Sequence, residues 1–376
     1  QRYIRHLVHE GRLNRAIEFL PNDRVLAERA RDGIGLTGPE LSVLLAYSKI
    51  ELADVLVDSD LPDDPAVHHV LYDYFPSLVR ERYQEQMDAH PLRREIVTTG
   101  LVNTTINIAG ITGIFRLQEE SGAALDELVR GHVASCGIFG VDEVWAQAAA
   151  LDNVVPASVQ ATMRLEATRL SERSTRWLML HAAQPVDIGA EISRYREGVH
   201  EVLQLLPEQM RGSDVQAYAE RCAELVRAGV PADQAARIAT FPKAIAALDI
   251  VKVATETHLT LREVGEVYHY LAEELALSAM LERIIALPRN SRWKAMSRAT
   301  LRDDFNALHA ELTAAVLQCG NEGDDAGSRF KDWSARTADS QRRAVAMLAD
   351  IANGDSQDLA TLVVAVRVLR EMLARS

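Results

Sequence analysis

The stretch GIGLTGPELSVLLAY, residues 33–47, decides the fold class of this sequence. Its first six residues match the G-x-G-x-x-G spacing of a dinucleotide-binding loop, which requires a buried strand immediately before it. Residues 23–32 instead read DRVLAERARD, a charged segment rich in helix formers. The glycines therefore indicate a loop between two helices rather than a nucleotide site.

The residues that follow these glycines predict the start of a helix. Thr37 is placed as the N-cap, and Glu40 three residues later completes a capping box. Pro39 lies in the first turn, where its missing N–H is tolerated. A single helical stripe then contains Leu41, Leu44, Leu45, Leu52, Val55 and Leu56.

Helical periodicity continues through nearly the whole chain. Helices are predicted at about 157–181, 187–211, 214–228, 243–256, 260–287, 291–318 and 334–353, and again from residue 359. There is no alternating strand pattern and no hairpin signal. We therefore predict an all-α fold, an irregular multi-helix bundle in two lobes without a Rossmann sheet. The break at Gln184–Pro185 divides a first lobe, residues 1–184, from a second, residues 185–376.

Composition argues against several classes of function. A net charge of −13 disfavours binding to nucleic-acid phosphates. No run approaches the roughly 18 uninterrupted apolar residues of a membrane span, so no membrane partner is expected. The three distant cysteines, Cys136, Cys222 and Cys319, suggest buried thiols in a reducing, cytoplasmic compartment rather than disulfides or a zinc site.

The polar stretch 98–113 is a candidate contact surface. Asn103, Asn107 and Gly110 share one helix face at i, i+4 and i+7, and Gly100, Gly110 and Gly113 are expected to interrupt the helix. Such a face could bind a ligand or another domain, because buried amides need partners. The alternative is a tightly crossing helix pair, which the lack of interleaved ionisable residues favours.

A second candidate surface lies in the sequence RWKAMSRATLR, residues 292–302. Lys294, Arg298 and Arg302 form a basic stripe at i, i+4 and i+8, with Arg292 and Trp293 beside it. The stripe could dock an acidic surface of another domain or subunit, and tryptophan is enriched at interfaces. The alternative is a solvated helix face, since two aspartates follow the stripe directly.

The chain carries no recognisable catalytic or metal-binding motif. The pairs His6/His9 and His68/His69 lack the H-E-x-x-H pattern and a third ligand. Nucleophile-elbow, phosphate-loop and kinase-type motifs are absent from the sequence. We therefore assign no catalytic, cofactor-binding or metal-binding residue.

Short stretches spread over the chain form a set that is more specific than any single motif. They are residues 33–47 quoted above, LPDD (61–64), YFP (74–76), LRREI (92–96), NTTIN (103–107), GIT (110–112), LQEE (117–120), LDN (151–153), RWL (176–178), LP (287–288) and RW (292–293). This set resembles the C-terminal helical domain of the large bacterial NAD-specific glutamate dehydrogenases.

The resemblance implies a parent enzyme that deaminates L-glutamate to 2-oxoglutarate and ammonia while reducing NAD. It also implies that the catalytic residues and the NAD-binding fold lie upstream of Gln1, so that this region holds no cofactor itself. Because the sequence opens on Gln in mid-pattern, we expect part of a longer polypeptide. Its expected partners are the upstream catalytic domain, on which residues 1–30 would pack, and further copies in a homo-oligomer.

Three hypotheses follow from these observations. The first is a non-catalytic helical domain that supports the catalytic domain, assembly or regulation. The second is a freestanding helical adaptor. The third is a self-contained helical enzyme, which would require two ionisable side chains with mutually perturbed pKa values in one cleft.

Overall fold

The computed structural model describes residues 1–321, 323–353 and 358–373 and confirms the all-α prediction. Within those residues the chain forms helices joined by loops and contains no strand. The first ten helices are α1 (Arg2–His9), α2 (Asp23–Arg31), α3 (Gly38–Asp58), α4 (His69–Asp73), α5 (Ser77–Arg82), α6 (Gln84–Asp88), α7 (Arg93–Ala109), α8 (Gly113–Ser121), α9 (Leu125–Phe139) and α10 (Val141–Ala150).

The remaining helices are generally longer than those of the first half. They are α11 (Ala157–His181), α12 (Ile188–Gln209), α13 (Ser213–Arg227), α14 (Ala232–Thr240), α15 (Ala246–Thr257), α16 (Leu261–Glu274), α17 (Leu277–Ala286), α18 (Arg292–Leu317), α19 (Ala326–Asn353) and α20 (Leu359–Arg370). Two 3₁₀ turns, Leu61–Asp63 and Pro65–Val67, precede α4.

By internal contacts the chain forms two compact units. The first contains Gln1–Ser135 and Leu178–Ala190, and the second contains Cys136–Trp177 and Glu191–Ser376. The two lobes predicted from sequence, divided at residue 184, stay a prediction.

The start of α3 confirms the interpretation of the glycine-rich stretch. The Thr37 amide donates to Glu40 Oε2 at 2.7 Å, and the Glu40 amide donates to Thr37 Oγ1 at 3.5 Å, which completes the capping box. The segment before the glycines is helix α2, where a nucleotide loop would require a strand. Arg29 of α2 forms an ion pair of 2.9 Å with Glu40, so the two helices are joined across the loop.

Residues 1–30 form part of the first unit's core. Their buried side chains pack with α3 and α8 in one apolar cluster. Its buried members are Tyr3, Ile4, Leu7, Leu13, Leu20, Leu26 and Leu44, with Leu36, Val43, Tyr47, Ile111 and Phe115 packed against them. One face of this N-terminal segment is therefore already covered within the unit.

The prediction of one continuous helix at 260–287 was wrong, because the chain forms two helices there, α16 and α17. Ala276 adopts a left-handed backbone with φ +50°, which is uncommon for a residue with a side chain. The break buries both Leu275 and Leu277. Burial of these two leucines offsets the backbone strain at Ala276. The neighbouring sequence contains no glycine or proline that would predict a break in the helix.

The predicted start of α19 at residue 334 was also wrong, since the helix begins at Ala326. The side chain of Asp325 accepts a hydrogen bond of 2.7 Å from the Ser328 amide, three residues later. This is the geometry of an N-cap, and it satisfies one of the free amides of the first turn. Residues 320–328, GNEGDDAGS, are polar and rich in glycine, a composition typical of a loop, and no helix start was predicted there.

Helix α7 continues through Gly100, which was expected to interrupt it. A Cβ atom built on Gly100 would overlap Cγ1 of Val70 in α4. Glycine at this position therefore permits the close approach of α4 to α7. The helix ends instead at Gly110, whose φ of +78° suits a residue without a side chain.

The variant Gly100→Ala tests this close approach. We expect it to lower the free energy of unfolding by about 1–2 kcal/mol, because overpacking against Val70 exceeds the gain in helix propensity. The matched control is Gly189→Ala in α12, where the added Cβ would meet nothing closer than 3.7 Å. Urea unfolding followed by circular dichroism compares the two, and equal stability of both variants would contradict the contact.

Candidate functional site

The predicted polar face of α7 is divided among three environments. Lys49 Nζ in α3 donates to Asn103 Oδ1 at 2.7 Å, so Asn103 belongs to the contact between α3 and α7. Asn107 is exposed, and Gly110 terminates the helix. The structure thus brings Asn103 to a partner within the chain but does not gather all three residues around one point.

Sequence reasoning did not identify Lys49 as the partner of Asn103. The available signal was its position, since Lys49 follows Leu45 by four residues and precedes Leu52 by three on the apolar stripe of α3. A lysine at such a position needs an acceptor for its ammonium group. The sequence indicates that need but does not say which residue meets it.

The basic stripe of α18 is largely engaged within the chain. Arg298 Nη1 donates to the carbonyl of Ile285, near the end of α17, at 3.0 Å. Arg302 Nη2 lies 3.5 Å from Asp303 Oδ1. Lys294 is exposed at the surface. Arg298 therefore contacts the end of α17, and Arg302 contacts a neighbouring residue of α18. Docking by the stripe stays a prediction.

Trp293 lines a groove between α18 and α20 that has a volume of about 800 Å³. Its side chain is 70% exposed, and the Arg292 guanidinium lies 5.7 Å from the ring centre. The apolar lining comprises Trp293, Met296, Leu301, Leu359, Val363 and Val366. An exposed tryptophan beside arginine is a composition that protein interfaces favour.

A second groove, of about 840 Å³, is lined by residues of α10, α12 and α14. Glu143 holds two guanidinium groups there, Arg237 at 3.1 Å and Arg196 at 3.5 Å. Arg237 Nη2 also donates to the carbonyls of Phe139 and Gly140 at 3.0 and 3.1 Å, at the end of α9. Glu143, Arg196 and Arg237 are therefore paired with one another, and they tie α10, α12 and α14 together.

The strongly perturbed ionisable groups of the second unit lie in its core. Burial raises the pKa of Asp249 to about 7, and Trp177 Nε1 donates to Asp249 Oδ1 at 2.8 Å. Burial lowers the pKa of His309 to about 3 and that of His269 to about 4. His309 Nε2 donates to the carbonyl of Tyr268 at 2.9 Å.

These core groups do not match the requirement of the self-contained enzyme hypothesis. Asp249, His269 and His309 are all buried, and each lies outside the linings of the two grooves. A general acid or base must reach the proton that it transfers. In the part of the chain that the structure describes, their geometry therefore fits packing of the helices better than acid–base catalysis.

The variant Asp249→Asn tests the burial of this carboxyl group. The pKa of Asp249 is raised in the folded state relative to about 3.9 in the unfolded chain. Its contribution to stability is therefore fully present below pH 4 and is lost as pH rises toward 7. One pKa unit corresponds to about 1.4 kcal/mol. We therefore expect the free energy of unfolding of Asp249→Asn, relative to that of the unsubstituted chain, to increase by about 3 kcal/mol between pH 5 and pH 8.

Urea unfolding at both pH values measures this change. The exposed Asp58 supplies the control variant Asp58→Asn, which removes a carboxylate from the surface rather than from the core. A relative stability of Asp249→Asn that does not change with pH would show that the carboxylate is solvated in the folded state.

Among the residues that the structure describes, no group of three or more histidine, cysteine, aspartate or glutamate side chains is arranged to hold a metal ion. No described helix combines the length and the apolar character that crossing a bilayer requires. Cys136 and Cys319 are buried, Cys222 is half-buried, and all three are free thiols.

The helices define the class of this protein as an all-α domain, and its described surface carries two grooves. Its particular family follows from comparison. The family described as "Glutamate dehydrogenase, C-terminal" matches residues 33–371, and the chain belongs to this family.

Three curated relatives share this similarity over nearly the whole chain. The NAD-specific glutamate dehydrogenase of Mycobacterium tuberculosis is 36% identical over 373 residues, which is 99% of this chain. The enzymes of that name from Halomonas elongata and Pseudomonas aeruginosa are each 32% identical, over 99% and 100% of the chain. In each case the chain spans only 23% of the relative's length.

Proposed function

We propose that the chain is the non-catalytic C-terminal helical domain of a large NAD-specific glutamate dehydrogenase. The parent enzyme converts L-glutamate, NAD and water to 2-oxoglutarate, ammonia and NADH. The helical domain braces the catalytic region and the assembly of the enzyme. Its partners are the upstream catalytic domain and further copies of the parent in a homo-oligomer.

The observation that carries this proposal is the difference between the share of this chain and the share of each relative that the matches cover. The relatives cover this chain almost completely, whereas the chain covers 23% of each relative. More than three quarters of each relative therefore lies outside the matched region, which leaves room for a nucleotide-binding fold and a catalytic centre. The parent would take NAD there, in the pathway of amino-acid catabolism.

The described surface supports a bracing role. The groove beside Trp293 is lined by apolar side chains together with the charged residues Asp304, Arg367, Arg370 and Glu371. Burial of such a groove against another domain would remove apolar area from water, at roughly 25 cal/mol per Å². The three free thiols support the further part of the proposal, which places the enzyme in a reducing, cytoplasmic compartment.

NAD titration of the isolated 376-residue chain tests the proposal. We expect a chain with helical circular dichroism that neither binds NAD nor oxidises glutamate, while the full-length parent does both under the same conditions. Binding of NAD by the isolated chain with the parent's affinity would refute a non-catalytic role.

A point variant in the parent addresses the glycine-rich stretch directly. A dinucleotide loop needs its second glycine so that the backbone can approach the pyrophosphate. Gly35 precedes a helix cap, and a Cβ atom added to it would meet nothing within 4 Å. We therefore expect Gly35→Ala to leave the KM for NAD unchanged, and a rise of tenfold or more would place the nucleotide at this loop.

A further inference from the structure

The turn between α1 and α2 presents two large apolar side chains to solvent. Leu13 and Leu20 are buried at either end of this turn, residues 14–19. Between them, Ile17 is 69% exposed and Phe19 is 90% exposed. The turn is therefore anchored in the core of the first unit while its apolar tip points away from it.

Hydrogen bonds hold this turn in one conformation. The Glu18 amide donates to the carbonyl of Asn14 at 3.1 Å, and the Leu20 amide donates to the carbonyl of Arg15 at 3.0 Å. The Tyr47 hydroxyl in α3 donates to Glu18 Oε1 at 2.8 Å. These bonds link the turn both to itself and to the longest helix of the N-terminal cluster.

Phe19 occupies a conformation that a phenylalanine rarely adopts. Its φ is +53°, in the left-handed region, where the Cβ atom crowds the backbone. Glycine would take this conformation without strain. A bulky aromatic side chain is thus held outward at a position whose backbone favours glycine, which is typical of a side chain kept for contact with a partner.

The start of the chain lies beside the base of the turn. The Arg5 amide bonds to the carbonyl of Gln1 at 3.1 Å, in the first turn of α1. Arg5 and Arg15 each form an ion pair of 2.9 Å with the same carboxylate, Asp23. In a longer parent, the polypeptide that precedes Gln1 would therefore enter next to the Ile17–Phe19 turn.

The family match and the relatives differ in where they begin. The C-terminal family covers residues from 33 onward, whereas the similarity to complete relatives extends over 99–100% of the chain. Residues 1–32 are thus shared with the complete enzymes but lie outside the C-terminal family. This favours an association of the segment with the part of the parent that precedes it.

We propose that Ile17 and Phe19 dock into an apolar pocket on the upstream catalytic region of the same polypeptide. This inference rests on the proposed function and specifies which surface meets the catalytic region. The partner surface is apolar because the tip of the turn is apolar. A turn fixed by hydrogen bonds loses little further freedom on docking, which favours its use as an anchor.

Thiol labelling compares the turn in the parent and in the isolated chain. Ala16→Cys, at an exposed position of the same turn, introduces the probe and leaves Ile17 and Phe19 in place. Leu78→Cys, at a position 66% exposed in the same unit, supplies the reference. Peptide mass spectrometry separates both from the native thiols. We expect the ratio of labelling at position 16 to labelling at position 78 to fall at least tenfold from the isolated chain to the parent. An unchanged ratio would overturn the proposal.

A second variant removes the anchor without disturbing the turn. Phe19→Gly suits the φ of +53°, so the isolated chain should unfold at the same or a higher urea concentration. In the parent we expect amide exchange of residues 14–20 to rise at least tenfold, and unchanged exchange would overturn the proposal. Glutamate oxidation and NAD binding are measured on the same preparations and test the proposed function separately. A parent that shows neither activity contradicts the proposed function, whatever its labelling ratio.

Discussion

Burial of one face of α18 holds the second unit together, because α15, α16, α17, α19 and α20 all pack against this helix. The face follows a helical period through Phe305, Leu308, Leu312 and Val316, all of which are almost completely buried. Full burial of each side chain contributes about 1.5–3 kcal/mol. Loss of this face would leave five helices without a common partner.

Two polar side chains of α11 that enter this core are tied to specific partners. Arg176 Nε donates to Asp303 Oδ2 at 2.5 Å, which joins α11 to α18. The next residue, Trp177, donates to Asp249 of α15. Adjacent residues of α11 therefore reach two different helices of the second unit. Because an unpaired polar group is costly in a core, such bonds restrict how the helices can be arranged.

The ionisable groups with strongly shifted pKa values lie in the core rather than in the grooves, and this contrast supports the proposed non-catalytic role. Two groups with strongly altered proton affinity, Asp249 and His309, are enclosed by packed side chains. The grooves offer instead an exposed tryptophan in one case and the paired charges around Glu143 in the other. Surfaces of this kind suit contact between domains, and they support the bracing role that we propose.

The parts of this structure that depend on local sequence could be predicted. The capping box of Thr37 and Glu40 involves residues three apart, and the bounds of α11 match the predicted 157–181. The break at Ala276 could not be predicted, because it is set by the burial of leucines in the folded core. Lys49 and Asn103 are 54 residues apart, and the groove beside Trp293 needs α20, so both required the tertiary structure.

The most direct test of the central claim is to truncate the parent enzyme immediately before Gln1. NAD affinity, glutamate oxidation and particle mass would be measured on the remaining catalytic part. If the helices brace the enzyme, NAD affinity should persist while activity and particle mass fall together. Loss of NAD binding by a folded, assembled particle would instead place nucleotide chemistry in these helices, and full retention of activity and mass would contradict the bracing role.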